Sequence, residues 1–229
     1  MKEKVVVMLP CYNEEITIGQ VVKEFKKELP SAVIYVYNNN STDKTAKIAT
    51  EAGAIVIDAP IQGKGAVVKQ MFNELKADCY IMADGDLTYP AKYSKKMVEL
   101  VLNKNYDMVI GDRLSTNYYK DNKRPFHGFG NSLVKRLVNV LFHGHIKDIM
   151  TGYRAFSPKF INTIGPELIS QGFQIETEMT IRALKHKMRI KSVPIEYRDR
   201  PEGSKSKLST IKDGIKVVMM ILKLRLSKK

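Results

Sequence analysis

Cys79-Tyr80-Ile81-Met82-Ala83 runs directly into Asp84-Gly85-Asp86. Five consecutive apolar residues bounded by polar turns predict a strand buried on both faces, as in the middle of a parallel sheet. The two carboxylates then stand at its C-terminal end, with Gly85 allowing a tight turn between them. Placed so, they can converge on a hard divalent cation and the phosphate oxygens it would bind. A solvated Asp-Gly turn held by local hydrogen bonds is the ordinary alternative.

The same alternation extends outward in both directions. Strands are predicted over 5–9, 33–37, 54–57, 79–83 and 108–110, and helices over 16–29, 43–52, 63–76 and 90–103. This is the pattern of a doubly wound α/β domain with a mostly parallel central sheet flanked by helices. In such a sheet the turns that follow the strands share one ligand-binding edge. Asn13 and Glu14, the run from Asn38 to Asp43, Asp84 to Asp86, and Asp112 with Arg113 are therefore expected at one crevice.

The second half is less regular. Helices are expected over 131–142 and 172–186 and a short strand over 190–195, after a polar and aromatic stretch over 114–130. Residues 198–207, with Pro201, Gly203 and several Ser and Lys, read as a mobile loop that buries little. Residues 208–226 form a basic amphipathic helix, with Ile211, Ile215, Val218, Met219 and Leu222 on one broad face and Lys212, Lys216 and Lys223 beside it. That helix can lie in a headgroup layer or dock on its own sheet. The division expected is a catalytic domain over 1–207 and this helix over 208–229.

With 229 residues, 44% hydrophobic and 27% charged, the chain is sized for one core and is not disordered. Its net charge is +14, and residues 182–229 hold 15 basic and 4 acidic side chains, a balance of +11. Such a field suits a polyanion, an anionic membrane surface or a phosphorylated substrate. No recognised nucleic-acid module accompanies it, so no nucleic-acid partner is expected. Lys216, Lys223 and Arg225 interrupt the apolar run over 215–226, which does not span a bilayer by itself. Residues 1–4 lead straight into a strand with no room for a signal peptide, so a cytoplasmic chain is expected, peripheral on the cytoplasmic face of the membrane. Cys11 and Cys79 are too few for a disulfide framework and read as reduced structural thiols, and the four histidines lack the short spacing of a zinc motif.

Two loops add to the acidic turn. Asn38-Asn39-Asn40-Ser41-Thr42-Asp43 can hydrogen-bond a base or ribose, or Thr42 and Asp43 can simply cap the following helix. Gln62-Gly63-Lys64-Gly65 can bring backbone donors and one lysine to a pyrophosphate, although it lacks the spacing of a Walker A loop. Pro10-Cys11-Tyr12-Asn13-Glu14 stands where a dinucleotide fold would carry its glycines, which argues against a nicotinamide cofactor.

These pieces, together with Asn40-Ser41-Thr42-Asp43-Lys44-Thr45, Gly111-Asp112-Arg113, Asp148-Ile149-Met150-Thr151-Gly152-Tyr153-Arg154 and Gly203-Ser204-Lys205, resemble the family 2 glycosyltransferases of the GT-A nucleotide-diphospho-sugar transferase fold, and among them the polyprenyl-phosphate transferases of the dolichyl-phosphate mannose synthase type. The resemblance implies a metal-dependent enzyme that moves a sugar from a nucleotide donor, GDP-mannose foremost, to a polyprenyl or dolichyl phosphate. UDP-glucose or UDP-N-acetylglucosamine as donor, or a glycan as acceptor, are the alternatives. Mg²⁺ or Mn²⁺ would be held by Asp84 and Asp86, and the donor by Pro10, Tyr12, Asn13, Glu14, Asn38, Asp43, Lys64, Gly85 and Arg198 with both aspartates. Asp84, Asp86, Arg113, Arg124 and Lys205 would carry the chemistry. Arg154 and Arg200 are further phosphate-clamp candidates, and Asp148 would bind acceptor hydroxyls or orient Arg154. Asn38-Asn39 and Thr88 depart from the family's usual Asp-Asp and Gln, which leaves the base that is read open. A membrane surface and a membrane-protein partner are the other implied contacts.

Overall fold

The computed structural model describes residues 4–116, 127–207 and 209–227. Seven strands form one sheet: β1 (Val5–Cys11), β2 (Val33–Asn38), β3 (Ile55–Asp58), β4 (Cys79–Met82), β5 (Met108–Asp112), β6 (Arg154–Phe156) and β7 (Ile190–Pro194). Their order is β3-β2-β1-β4-β6-β5-β7. Strand pairs are parallel except those of β6, which runs antiparallel between β4 and β5.

Among the described residues, eight α-helices complete three layers: α1 (Ile18–Glu28), α2 (Thr45–Glu51), α3 (Lys64–Glu74), α4 (Ser94–Leu102), α5 (His127–Leu141), α6 (Pro158–Ile164), α7 (Ile175–Lys185) and α8 (Thr210–Leu226). Along β1, Val7 and Leu9 face one layer while Val6 and Met8 face the other, so the strand reads as an unbroken apolar run. The first layer buries Ile18, Val21, Val22 and Phe25 of α1, spaced to share one helix face, with residues of α2 and α4. The second is built from α3, α5, α6, α7 and α8, with Phe72, Phe156 and Phe160 in mutual ring contact.

The expected strands and helices are present with shifted ends, and two elements are new. Strand β6 is three residues long and starts with an arginine, too little for a period to show. Helix α6 follows at once, capped by Ser157, whose hydroxyl accepts from Phe160 N–H at 3.1 Å, with Pro158 in its first turn. Arg154 opens β6 fully buried and so cannot clamp a phosphate as expected. Its guanidinium donates to Thr151 O (3.0 Å), Ile149 O (2.5 Å) and Thr180 Oγ1 (2.9 Å), and burial lowers its pKa to about 10 against the opposing charges of Glu176 and Asp148. Helix α8 docks through Val217, Met220, Ile221 and Leu224, while Ile211, Ile215, Met219 and Leu222 of the expected face lie exposed. No helix among the described residues is long and apolar enough to cross a membrane.

Candidate active site

From β1 the sheet grows toward β3 on one side and continues with β4 on the other, so the chain switches direction between β1 and β4. Crevices form at such points beyond the C-terminal strand ends. Here a cleft of about 430 Å³ opens, lined by Pro10, Tyr12, Glu14, Asn39, Lys64, Asp84, Gly85, Asp86, Arg113, Glu176, Arg200 and Lys207 among others.

The acidic turn is fixed from below. Thr17 donates its hydroxyl to Gly85 O at 2.7 Å, and a Cβ on residue 85 would stand 2.5 Å from Cys11 Sγ. Gly85 therefore serves close approach to β1, and the left-handed backbone of the turn falls instead on Leu87 (φ 66°). Asp86 is buried, and its Oδ1 accepts from Thr88 N–H (3.1 Å) and Thr88 Oγ1 (2.6 Å) while Oδ2 meets Arg200. Burial first, and the charge of Asp84 second, push its carboxyl upward, against the pull of Arg200 and Thr88.

Lys64 enters from the start of α3 and places its ammonium 2.5 Å from Asp84 Oδ1 and 2.6 Å from Glu176 Oε1. Burial works against that charge, but the two carboxylates outweigh it and raise the lysine's pKa. The flanking glycines lock the loop against residues 170–171. Gly63 has φ +124°, and a Cβ there would lie 2.3 Å from Gln171 O, or at Gly65 2.5 Å from Ser170 O. The N–H groups of Gly65 and Ala66 donate to Gln171 O (2.9 and 3.2 Å), and that of Gly63 to Asn39 Oδ1 (2.8 Å). These three amides are engaged within the chain, so the expected backbone cradle for a pyrophosphate reduces to the side chain of Lys64.

Arg113 follows β5 and is gripped by Asp148, with Nε at 2.7 Å from Oδ2, NH2 at 3.0 Å from Oδ1, and its backbone N–H also on Oδ2. Its guanidinium lies 5.2 Å from the ring centre of Tyr197. Asp148 accordingly orients Arg113, and not Arg154 as expected.

Residues 198–207, expected to be a mobile loop that buries little, lie against the cleft. Arg200 pairs with Asp86 and lies 3.7 Å from Glu14, while Lys207 donates to Glu14 Oε1 (2.7 Å) and Asn13 O (2.8 Å). Burial raises the pKa of Glu14, with Lys207 and Arg200 opposing it. The segment thus sets two cations against the carboxylates of Glu14 and Asp86. Arg198 reaches the cleft wall, but its guanidinium pairs with Glu24 of α1 at 2.9 Å. Lys205 is exposed and contributes its carbonyl to Arg200 at 3.4 Å. Arg124 lies outside the described residues.

Asn13, Asn38 and Asp43 stitch the turns after β1 and β2 together behind the cleft wall. Thr42 N–H donates to Asn13 Oδ1 (2.8 Å), Ser41 N–H to Asn38 Oδ1 (3.2 Å), and Thr45 Oγ1 and Glu15 N–H to Asp43 (2.5 and 3.1 Å). Asn39 takes their place in the cleft, holding Ala59 O (2.7 Å) and Ile61 O (2.9 Å) with its amide. Glu176 and Lys207 are not singled out by the sequence, and Asn39 is only as one member of the run from Asn38 to Asp43. Glu176 and Glu178 resemble the acidic residues common in any first helical turn, and nothing local marks the first of them as a partner of Lys64.

Among the described residues no three His, Cys, Asp or Glu side chains are arranged to hold a metal ion alone. Asp84 and Asp86 offer hard oxygens of the kind Mg²⁺ and Mn²⁺ favour, and both line the cleft. The residues fit such an ion on condition that a phosphorylated ligand supplies further oxygens.

The profile of the family described as Glycosyl transferase family 2 matches residues 6–165. Glycosyltransferase AglJ of Haloferax volcanii is 34% identical over 218 residues, covering 93% of this chain and 69% of its own. The dolichyl-phosphate hexose transferase of the same organism is 29% identical over 223 residues, covering 97% and 94%. The crystal structure of glucosyl-3-phosphoglycerate synthase from Mycobacterium tuberculosis, solved with Mn²⁺, UDP-glucose and phosphoglyceric acid, superposes with a TM-score of 0.78 at 20% identity, over 98% of this chain and 80% of that one.

Proposed function

Since this chain belongs to glycosyl transferase family 2 and moves a sugar from a nucleotide-activated donor on a GT-A fold, we propose that the donor is UDP-glucose and the acceptor a polyprenyl phosphate. One observation carries the reading: Asp84 and Asp86 share a single cleft with Lys64, Arg113 and Arg200, so that acidic oxygens and phosphate-binding cations face the same space. The expectation of GDP-mannose yields to UDP-glucose, which the fold neighbour binds. A lipid phosphate as acceptor is supported by the dolichyl-phosphate hexose transferase, alike over nearly its whole length.

The reaction is a direct displacement. An oxygen of the acceptor phosphate, already ionised near neutral pH, forms a bond to the anomeric carbon as the bond from that carbon to the donor's diphosphate breaks, and the configuration inverts. A divalent cation held by Asp84 and Asp86 would offset charge on the departing diphosphate. Lys64 presents its ammonium to the same diphosphate, and Arg113, oriented by Asp148, is placed to hold the acceptor phosphate. Such a nucleophile needs no general base. A glycan hydroxyl would instead call for a carboxylate able to take its proton.

The test incubates the protein with Mn²⁺ or Mg²⁺, a short polyprenyl phosphate and, separately, UDP-glucose, GDP-mannose and UDP-N-acetylglucosamine, with 3-phosphoglycerate as a second acceptor, and detects products by mass. A hexosyl phospholipid from UDP-glucose is expected. Product from GDP-mannose alone would overturn the donor, and product on 3-phosphoglycerate alone would overturn the acceptor.

A further inference from the structure

Helix α8 carries two apolar faces. Val217, Met220, Ile221 and Leu224 are buried in the core, and on the far side Ile211, Ile215, Met219, Leu222 and Leu226 are between 52% and 82% exposed. Leu133 and Val140 extend this surface onto α5, and an apolar groove runs between the two helices. These seven account for most of the large exposed hydrophobics among the described residues, so the patch is concentrated and not the usual scatter. The helix is already anchored by its buried face, so the fold does not require the second one.

Charge selects the occupant. Lys212, Lys216 and Lys223 are exposed along one flank of the stripe and Arg225 along the other, while the one acid of the helix, Asp213, is buried, accepts from Ser209 N–H at 2.8 Å and lies 3.6 Å from the Lys216 ammonium. A second copy meeting this face about a two-fold axis would set lysine flank against lysine flank with no exposed acid on the helix to answer them. An anionic bilayer satisfies both parts, with the apolar stripe entering the acyl boundary and the lysines meeting lipid phosphates. Both helices also have residues at or next to the cleft. Asn131, two residues before Leu133, and Lys207, three before Thr210, line it. We propose that α5 and α8 form a docking platform for an anionic phospholipid surface, which sets the mouth of the cleft at the level of the headgroups.

The test is co-sedimentation of the full chain with vesicles of phosphatidylcholine mixed with phosphatidylglycerol, against phosphatidylcholine alone, at low and raised salt. Binding is expected on the mixed vesicles and weakens with salt. The pair Ile215→Ser and Met219→Ser lowers partitioning about tenfold or more, and Lys212→Gln with Lys216→Gln and Lys223→Gln reduces it to the level on neutral vesicles. Thermal melts and calorimetric donor binding of both variants match the parent, because these side chains are exposed and outside the cleft. Absence of vesicle binding by the parent would overturn the platform, as would a concentration-dependent dimer in light scattering that Met219→Ser dissolves. Failure of the parent to bind a nucleotide sugar bears on the proposed reaction instead, since the vesicle assay contains no donor.

Discussion

Glu176, at the start of α7, holds the ammonium of Lys64 at 2.6 Å. It shares that lysine with Asp84, so it limits how firmly the cation is drawn onto the carboxylate proposed to hold the metal. Glu176→Gln is expected to shift Lys64 toward Asp84 and raise the Mn²⁺ concentration for half-maximal turnover about threefold to tenfold, with folding stability lowered by about 1–3 kcal/mol. A metal titration of the rate paired with urea unfolding checks it. A metal dependence equal to the parent's would mean the two carboxylates do not compete for the lysine.

Asp86→Ala is expected to reduce metal-dependent turnover by about 100-fold or more, since it removes one of two hard ligands beside the departing diphosphate. The fold should survive, because the side chain is buried at a desolvation cost that the alanine does not bear. Circular dichroism and specific activity at saturating Mn²⁺ decide it, and undiminished activity would remove the aspartate from the metal site.

Arg200 and Lys205 separate two readings of the same basic segment. Arg200 meets Asp86, whereas Lys205 points to solvent. Arg200→Ala should lower kcat/KM about tenfold or more, and Lys205→Ala by less than about twofold. The reverse order would show that the segment rearranges when substrates bind.

Asp43 gives a pH-dependent test of the loop behind the cleft. Burial pulls its carboxyl upward, but hydrogen bonds from the hydroxyl and N–H of Thr45 and from Glu15 N–H outweigh burial and lower its pKa. A folded pKa below the unfolded one contributes stability that is present above the unfolded value and is lost as pH falls through the folded value. Asp43→Ala should therefore cost stability at neutral pH, by less than about 1 kcal/mol once solvent screening of this accessible carboxylate is counted, and the gap to the parent should narrow as acid protonates the parent's carboxylate. Urea unfolding at neutral and acidic pH measures both.

Local pattern carried the α/β alternation well, because β1, β4 and β5 are buried on both faces and α1 repeats its apolar residues on one side. The acidic turn was legible for the same reason, since Asp84 and Asp86 follow a strand whose end must lie at the sheet's edge. What local pattern could not show is pairing across distance. Lys64 with Glu176 and Glu14 with Lys207 are separated by more than a hundred residues, and Asp148 was read against nearby Arg154 when its partner is Arg113. Helix α8 offered two apolar stripes, and sequence alone does not say which one the core takes.

Strand β6 comes from residues 154–156 yet lies between β4 and β5, so β4 does not complete its pairing until Phe156 has been synthesised, and β5, which also pairs with β7, not until Pro194. During translation the growing chain exposes the open edges of β4 and β5, and exposed edges are templates for pairing with other chains. Contacts between residues so distant in sequence also form slowly. The strands that carry the acidic turn and those that carry Arg113 are thereby bound into one folding unit, and a fragment cut after Asp112 would be a hazard to the cell and not a working half of the enzyme.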